Sequence, residues 1–378
     1  MLGLMSQGFA FTAFVAALPQ MAAEFGSRGA FVAQMTMGVA SLGLMVGALA
    51  SGWILERAGT RALLIASAFL YGLAGAGGLV LHAISLLLIS RFVVGLAAAC
   101  MVTTCLWGIG AAYEGARRAR VLGFSSALAN TISLVGTVLG GALAQLGGWR
   151  LAFIQFPVFG AVGVLLGYLS LRQVKPEPRH EPGRNAGVLL RLVPFYVLAA
   201  LLFAVMFLAS TQFAFLLQLD GVNEASTRSL FIGTMTVVAA LTAFCYGALQ
   251  QRLSTAGVFA LGLASMAAAL ELIGCGPRPA YAAAGAVLMG IYVGSIGPYV
   301  YHVVTERTDD ASRGRAVGFL NAFCFLGGFL NPPMFAALAR AAGPRGAFVI
   351  AGLSIAALEA GSLLRNLRRR AIGPETAA

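Results

Sequence analysis

The sequence predicts an all-α multi-pass membrane protein, with twelve transmembrane helices in two pseudo-symmetric six-helix bundles. Three observations carry this. The 378 residues are 59% hydrophobic and only 10% charged, where a soluble chain carries roughly 25% charged residues. Apolar runs recur from end to end, and about 20 such residues cross a bilayer as a helix. The two halves also match each other at a fixed offset of 195 residues. Backbone groups in lipid must pair within their own segment, so the runs are helices. The lack of strand alternation argues against a barrel.

Taken in order, the first span covers 2–22 and ends near Pro19, with Glu24 and Arg28 in a short loop beyond it. The second covers 30–55 and leads into the charged turn Gly52-Trp-Ile-Leu-Glu56-Arg57-Ala-Gly59-Thr-Arg61. The third and fourth cover 62–81 and 84–112, the fourth holding Arg91 about two turns from its start. A basic loop, Glu114 to Arg120, precedes the fifth span, which ends near Leu146. A Gly147-Gly148-Trp149-Arg150 turn follows, and the sixth span ends near Leu171. The first bundle is therefore 1–172. Residues 173–191 carry Lys175, three prolines and several arginines without an apolar run, which reads as a solvated linker. Six more spans, at 192–218, 226–250, 256–274, 280–304, 314–340 and 346–366, form the second bundle, 192–366. Residues 367–378 are a basic tail.

The net charge of +12 does not indicate nucleic acid, because the basic residues are scattered over short loops and form no phosphate-tracking patch. Of 25 Lys plus Arg, this topology puts 18 on one side, 6 on the other and Arg91 within the membrane. The positive-inside rule then places the linker and both termini in the cytoplasm. Five cysteines show no metal-type spacing and no paired framework, so no disulfide, metal or cofactor is expected. The first apolar run lacks a basic leader and a cleavage site and reads as a retained helix. Lys175 is the one lysine beside many Arg and Ala, a composition that suits a GC-rich bacterium and its inner membrane.

The repeat is sharper in charge than in hydropathy. At the 195-residue offset, Gly52, Glu56 and Arg57 fall on Gly247, Gln251 and Arg252. Gly95 falls on Gly290, Glu114 on Asp309, Arg118 on Arg313 and Arg120 on Arg315. Parallel six-span repeats build one large transporter class. The chain resembles the major facilitator superfamily over essentially its whole length, most closely its proton-coupled exporters of drugs and small molecules. Gly52, Glu56, Arg57, Gly59 and Arg61 match that family's loop pattern Gly-x-x-x-(Asp/Glu)-(Arg/Lys)-x-Gly-x-(Arg/Lys). Arg91 and Gly95 match its fourth-helix pattern Arg-x-x-x-Gly. Gly123, Gly136, Gly140 and Gly141 match part of the antiporter pattern of the fifth helix, with Ile132 and Thr137 departing from it.

The loop reads as a latch. Gly52 would admit a close helix neighbour and Gly59 a tight turn, with Glu56 pairing to Arg57, Arg61 or the arginines near Arg120. Glu114 with Arg120, repeated as Asp309 with Arg315, extends the network. The resemblance implies that it ties the halves together on the cytoplasmic side in the outward-open state. The plain alternative is that the arginines only anchor topology.

Candidate solute contacts follow from placement. An arginine in hydrocarbon is costly, so Arg91 either binds an anion, sets the proton affinity of a neighbour, or bonds to helix carbonyls and stabilises the bundle. Tyr292, Ser295, Tyr299 and His302 share one stripe of the tenth span, beside Gly297-Pro298. Gln7, Phe11 and Phe14 form a stripe on the first span, and Phe203, Phe207 and Thr211 one on the seventh. In the resembled family, spans 1, 4, 7 and 10 line the cavity. Asn130 and Asn331 are polar positions in the fifth and eleventh spans. His302, Glu24 and Glu359 are the candidates for carrying a proton, alongside the latch acids.

The expectation is a monomeric secondary transporter that moves a small organic solute by rocker-switch alternating access, most simply as proton-coupled efflux. Uptake or facilitated transport of an anionic metabolite or siderophore-like ligand through Arg91 is the alternative. A non-transporting receptor or scaffold is a third class, without a supporting domain. No nucleophile–base or metal constellation suggests an enzyme.

Overall fold

The computed structural model describes residues 2–170, 186–308 and 310–371. Every element among them is helical. The first crossing is broken: α1 (Leu2–Thr12) and α2 (Leu18–Glu24) are joined by a 3-10 turn, Val15–Ala17. Pro19 opens α2, where its missing N–H is tolerated. The N–H of Ala17 bonds to Phe14, which leaves the Ala13 carbonyl open to another partner. Then come α3 (Gly29–Ala58), α4 (Thr60–Val80), α5 (Ile84–Ala112), α6 (Gly115–Leu151) and α7 (Gln155–Ser170). The second half contains α8 (Ala186–Leu219), α9 (Ala225–Phe244), α10 (Tyr246–Gly274), α11 (Pro279–Glu306) and α12 (Asp310–Ala371).

Among the described residues, ten segments are long and apolar enough to span a membrane, and two of them are double length. One of these runs through α6 into α7 and turns at Gly148; the other lies in α12 and turns at Gly343. Both fold back on themselves. Gly136 and Phe159, on either side of the first turn, both meet Phe9, and Phe335 and Phe348 pack together across the second. This gives twelve crossings. α8 begins at Ala186, within the expected linker, and its apolar span at Leu190. Residues 173–185 and 372–378 of the expected linker and tail lie outside the described residues.

The internal repeat is written into the backbone. Left-handed φ angles occur at Gly26 (64°), Gly59 (79°) and Gly148 (75°), and 195 residues later at Gly221 (86°), Ser254 (64°) and Gly343 (74°). Ser254 thus holds the turn of the second half that Gly59 holds in the first. Helix packing repeats as well. A Cβ on Gly95 would overlap the Ala40 carbonyl of α3, and one on Gly290 would overlap the Met235 carbonyl of α9, the equivalent pair. Small residues at these positions let the helix backbones touch, which is how apolar helices gain packing in lipid. Between the halves, α3 packs on α12 and α6 on α9.

Candidate functional site

The halves separate at the end that carries the Gly59 turn, the basic end. A cavity of ≈ 860 Å³ enters there between α1, α3, α5 and α12. Its mouth lies at Glu56, Ala111 and Gly314, all exposed. The α5 wall presents Thr103 and Trp107, one helical turn apart and therefore on one face. Gln7 of α1, Asn321 and Phe325 of α12, and small or aliphatic residues complete it. The Thr103 hydroxyl is held 2.7 Å from that of Ser51, and the Asn321 carbonyl oxygen accepts a hydrogen bond from the Tyr301 hydroxyl. Among the described lining residues Glu56 is the one titratable group. An apolar wall with two amides, a hydroxyl and an indole suits an amphipathic organic solute.

The opposite end is closed by contacts that cross between halves. Gln34 of α3 donates to Gln212 of α8 at 2.9 Å. Phe11 meets the Phe207 ring edge-on at 5.1 Å. Arg228, fully buried at the start of α9, donates through Nε to the Ala16 carbonyl in the broken first crossing at 3.1 Å. Its Nη1 bonds within its own half to the carbonyls of Val222 and Asn223. Sequence reasoning counted Arg228 with the basic residues of that side, at the edge of the span 226–250, and gave it no role; an arginine three residues into an apolar segment was the available signal.

Of the ten expected solute contacts, Gln7 lines this cavity. Arg91 does not. Its guanidinium is wholly buried in the first half, donating to the carbonyls of Ala74 and Gly75 at 3.0 Å each and lying 4.7 and 4.9 Å from the rings of Phe153 and Phe156. Carbonyl dipoles and aromatic faces hold the charge there, away from the cavity. Phe14 packs on Phe153 in the same cluster. Phe207 belongs to the closed end with Phe11. Thr211 bonds to Asn331, tying α8 to α12. The Tyr292 hydroxyl donates to the Leu202 carbonyl and the Ser295 hydroxyl to the Tyr292 carbonyl, so that stripe of α11 is packing. Tyr299 stacks on Phe259 at 4.7 Å. Asn130 opens on a separate crevice of ≈ 530 Å³ between α6 and α9.

Among the described residues, Glu56, Arg57 and Arg61 do not pair with one another. Glu56 faces the cavity mouth. Arg57 covers Trp53 at 3.6 Å, and Arg61 donates to the Tyr168 carbonyl at 3.0 Å, both within the first half. Gly59 ends α3 with φ 79°, the turn expected of it. Gly52 lines the open cavity, with no neighbour within 4 Å of where a Cβ would stand. Glu114, Arg120 and Arg315 are exposed at the same end, and Asp309 lies outside the described residues. Of the proton candidates, Glu24, His302 and Glu359 are not among the residues lining the cavity. Glu24 pairs with Arg150 at 2.6 Å and accepts from Trp149 at the opposite end. His302 sits between Gln250 and Glu306, and Glu359 is half-buried late in α12.

Twelve helical crossings in two repeated halves around a one-ended cavity define a membrane-transporter architecture, and comparison with known proteins agrees. The family model described as Major Facilitator Superfamily matches residues 1–231 and 221–376. Among curated relatives, Multidrug resistance protein 1 of Bacillus subtilis (strain 168) is 26% identical over 237 residues, 59% of each chain. Multidrug resistance protein MdtL of Klebsiella pneumoniae subsp. pneumoniae is 24% identical over 179 residues, 46% of this chain and 45% of that one. The matches thus span less than two thirds of either relative. Among solved structures, a point mutant of the nucleoside transporter NupG superposes with a TM-score of 0.75 at 12% identity, covering 96% of this chain and 98% of that one. A POT family transporter gives 0.75 at 12% identity, covering 97% and 95%. At such identities these two establish the fold alone.

The chain belongs to the major facilitator superfamily. It is a multi-pass membrane protein of that class.

Proposed function

We propose that the protein exports an uncharged or cationic amphipathic organic compound from the bacterial cytoplasm, driven by protons and working as a monomer. The lining of the central cavity carries this reading: aromatic and amide groups with a single carboxylate, Glu56, and no cation among the described lining residues. With the basic end in the cytoplasm by the positive-inside rule, the cavity faces inward, poised to take up solute from that side or from the inner leaflet. The resistance proteins among the relatives support efflux.

In this reading, solute and proton compete for the inward cavity, and Glu56 is the group that senses both. When the halves rock, the contacts of Phe11, Phe207 and Gln34 part and open the other face. The Glu56 carboxylate is then free to engage arginines of the second half. Cells producing the protein should accumulate less of an amphipathic dye such as ethidium, and a protonophore should abolish the difference. Equal accumulation with and without the protein, across a panel of cationic and neutral amphiphiles, would refute the proposal.

A further inference from the structure

A second cavity, of ≈ 850 Å³, lies at the end opposite the basic one, between α3, α8 and α12. Its walls are largely apolar, and Phe31 and Leu219 among them are 43% and 59% exposed. Two arginines line it, Arg28 at the start of α3 and Arg340 near the Gly343 turn of α12.

The other arginines at this end are already engaged. Arg150 pairs with Glu24, Arg345 with Asp220, Arg278 with the Tyr281 hydroxyl, and Arg228 is buried against carbonyls. Arg340 bonds through Nε alone, to the Ala336 carbonyl of its own helix, and Arg28 makes no hydrogen bond or ion pair among the described residues. The two cations of this end without an acidic partner therefore line one largely apolar crevice. Further in, Gln212 accepts from Gln34 but its own amide nitrogen, on a side chain 1% exposed, has no hydrogen-bond partner.

The arrangement has three levels: cations at the helix ends, an apolar slot between helices, and a buried N–H donor beneath. An anionic glycerophospholipid has the same three levels: phosphate, acyl chains and ester carbonyl. We infer that this crevice binds one anionic phospholipid, with its phosphate on Arg28 and Arg340 and an ester oxygen on Gln212. Because Arg28 and Gln34 belong to one half and Gln212 and Arg340 to the other, the bound lipid holds this end closed. Interfacial arginines attract anionic lipid individually, and two acting on one phosphate set the size of the effect.

The test is native mass spectrometry of delipidated full-length protein titrated with dioleoylphosphatidylglycerol, dioleoylphosphatidylcholine or glycerol phosphate. The parent should take up one phosphatidylglycerol about thirtyfold more tightly than the Arg28→Gln/Arg340→Gln variant. Arg28→Lys/Arg340→Lys, which keeps both charges, should retain most of the affinity, and Arg278→Gln all of it. Equal binding of phosphatidylcholine, or an undiminished phosphatidylglycerol adduct on the double Gln variant, would overturn the inference. So would displacement of the lipid by glycerol phosphate, which would mark a site for a soluble anion. Loss of binding in both the Lys and the Gln double variants would overturn it as well, since charge would then not be the determinant.

Discussion

Replacing Arg228 by Met should tilt the protein towards the state open at the end opposite the cavity. Arg228 makes three carbonyl bonds, but only the one to Ala16, at 3.1 Å, crosses between halves. Those to Val222 and Asn223 lie within the second half and are lost equally from both states. The shift is therefore set by one hydrogen bond from a charged donor, worth about 1.5–3 kcal/mol, or roughly 10- to 150-fold in the ratio of states. Met keeps most of the side-chain volume, so the packing around the fully buried site is largely preserved. The assay is electron–electron distance measurement between spin labels at Ala30 and Gln218, which flank the closed end, in parent and variant. The variant should show a new, longer distance population. An unchanged distribution would refute the claim that this bond holds the halves together.

Other outcomes follow from single side chains. Ser254 occupies a φ/ψ region (64°, 167°) that is essentially reserved for glycine, so Ser254→Gly should stabilise the protein by about 1–3 kcal/mol, less a few tenths for the lost Ser254–Gly257 contact; a lowered melting temperature would contradict this. Arg91→Lys should lower the melting temperature while leaving dye affinity within about twofold, because an ammonium cannot lay a planar face against the Phe153 and Phe156 rings; tenfold weaker binding at unchanged stability would return Arg91 to the solute site. Trp107→Ala should weaken dye binding about tenfold by removing the main aromatic face of the cavity, and unchanged affinity by fluorescence titration would exclude the α5 wall. Glu56→Gln should favour the inward-open state, since it removes the charge that would close the basic end; equal cysteine accessibility at Ala111 in variant and parent would argue against a latch.

The fold was legible because lipid leaves few options. Apolar length gave the spans, and charged residues at a constant offset gave the duplication, which the backbone repeats at Gly59/Ser254 and Gly148/Gly343. The site was less legible. A membrane helix is apolar on every face, so periodicity does not say which stripe meets a cavity and which meets another helix. Tyr292 and Ser295 share a stripe yet bond inside the second half, whereas Thr103 and Trp107, equally well spaced, face the cavity. Arg91 shows the same limit for charge. Its cost in hydrocarbon marked it as exceptional, but only the positions of the Ala74 and Gly75 carbonyls and the Phe153 and Phe156 rings decide its role. Gly52 fits the loop pattern and borders the open cavity here, so the motif alone does not say which state brings a neighbour against it.

The most direct test of the proposed function is dye transport by the purified protein in proteoliposomes with an imposed proton gradient. With the basic end facing outward and the lumen acidic, ethidium should accumulate inside against its gradient, and Glu56→Gln should abolish the proton dependence. Transport that is the same with and without the gradient would contradict proton-driven export through this cavity.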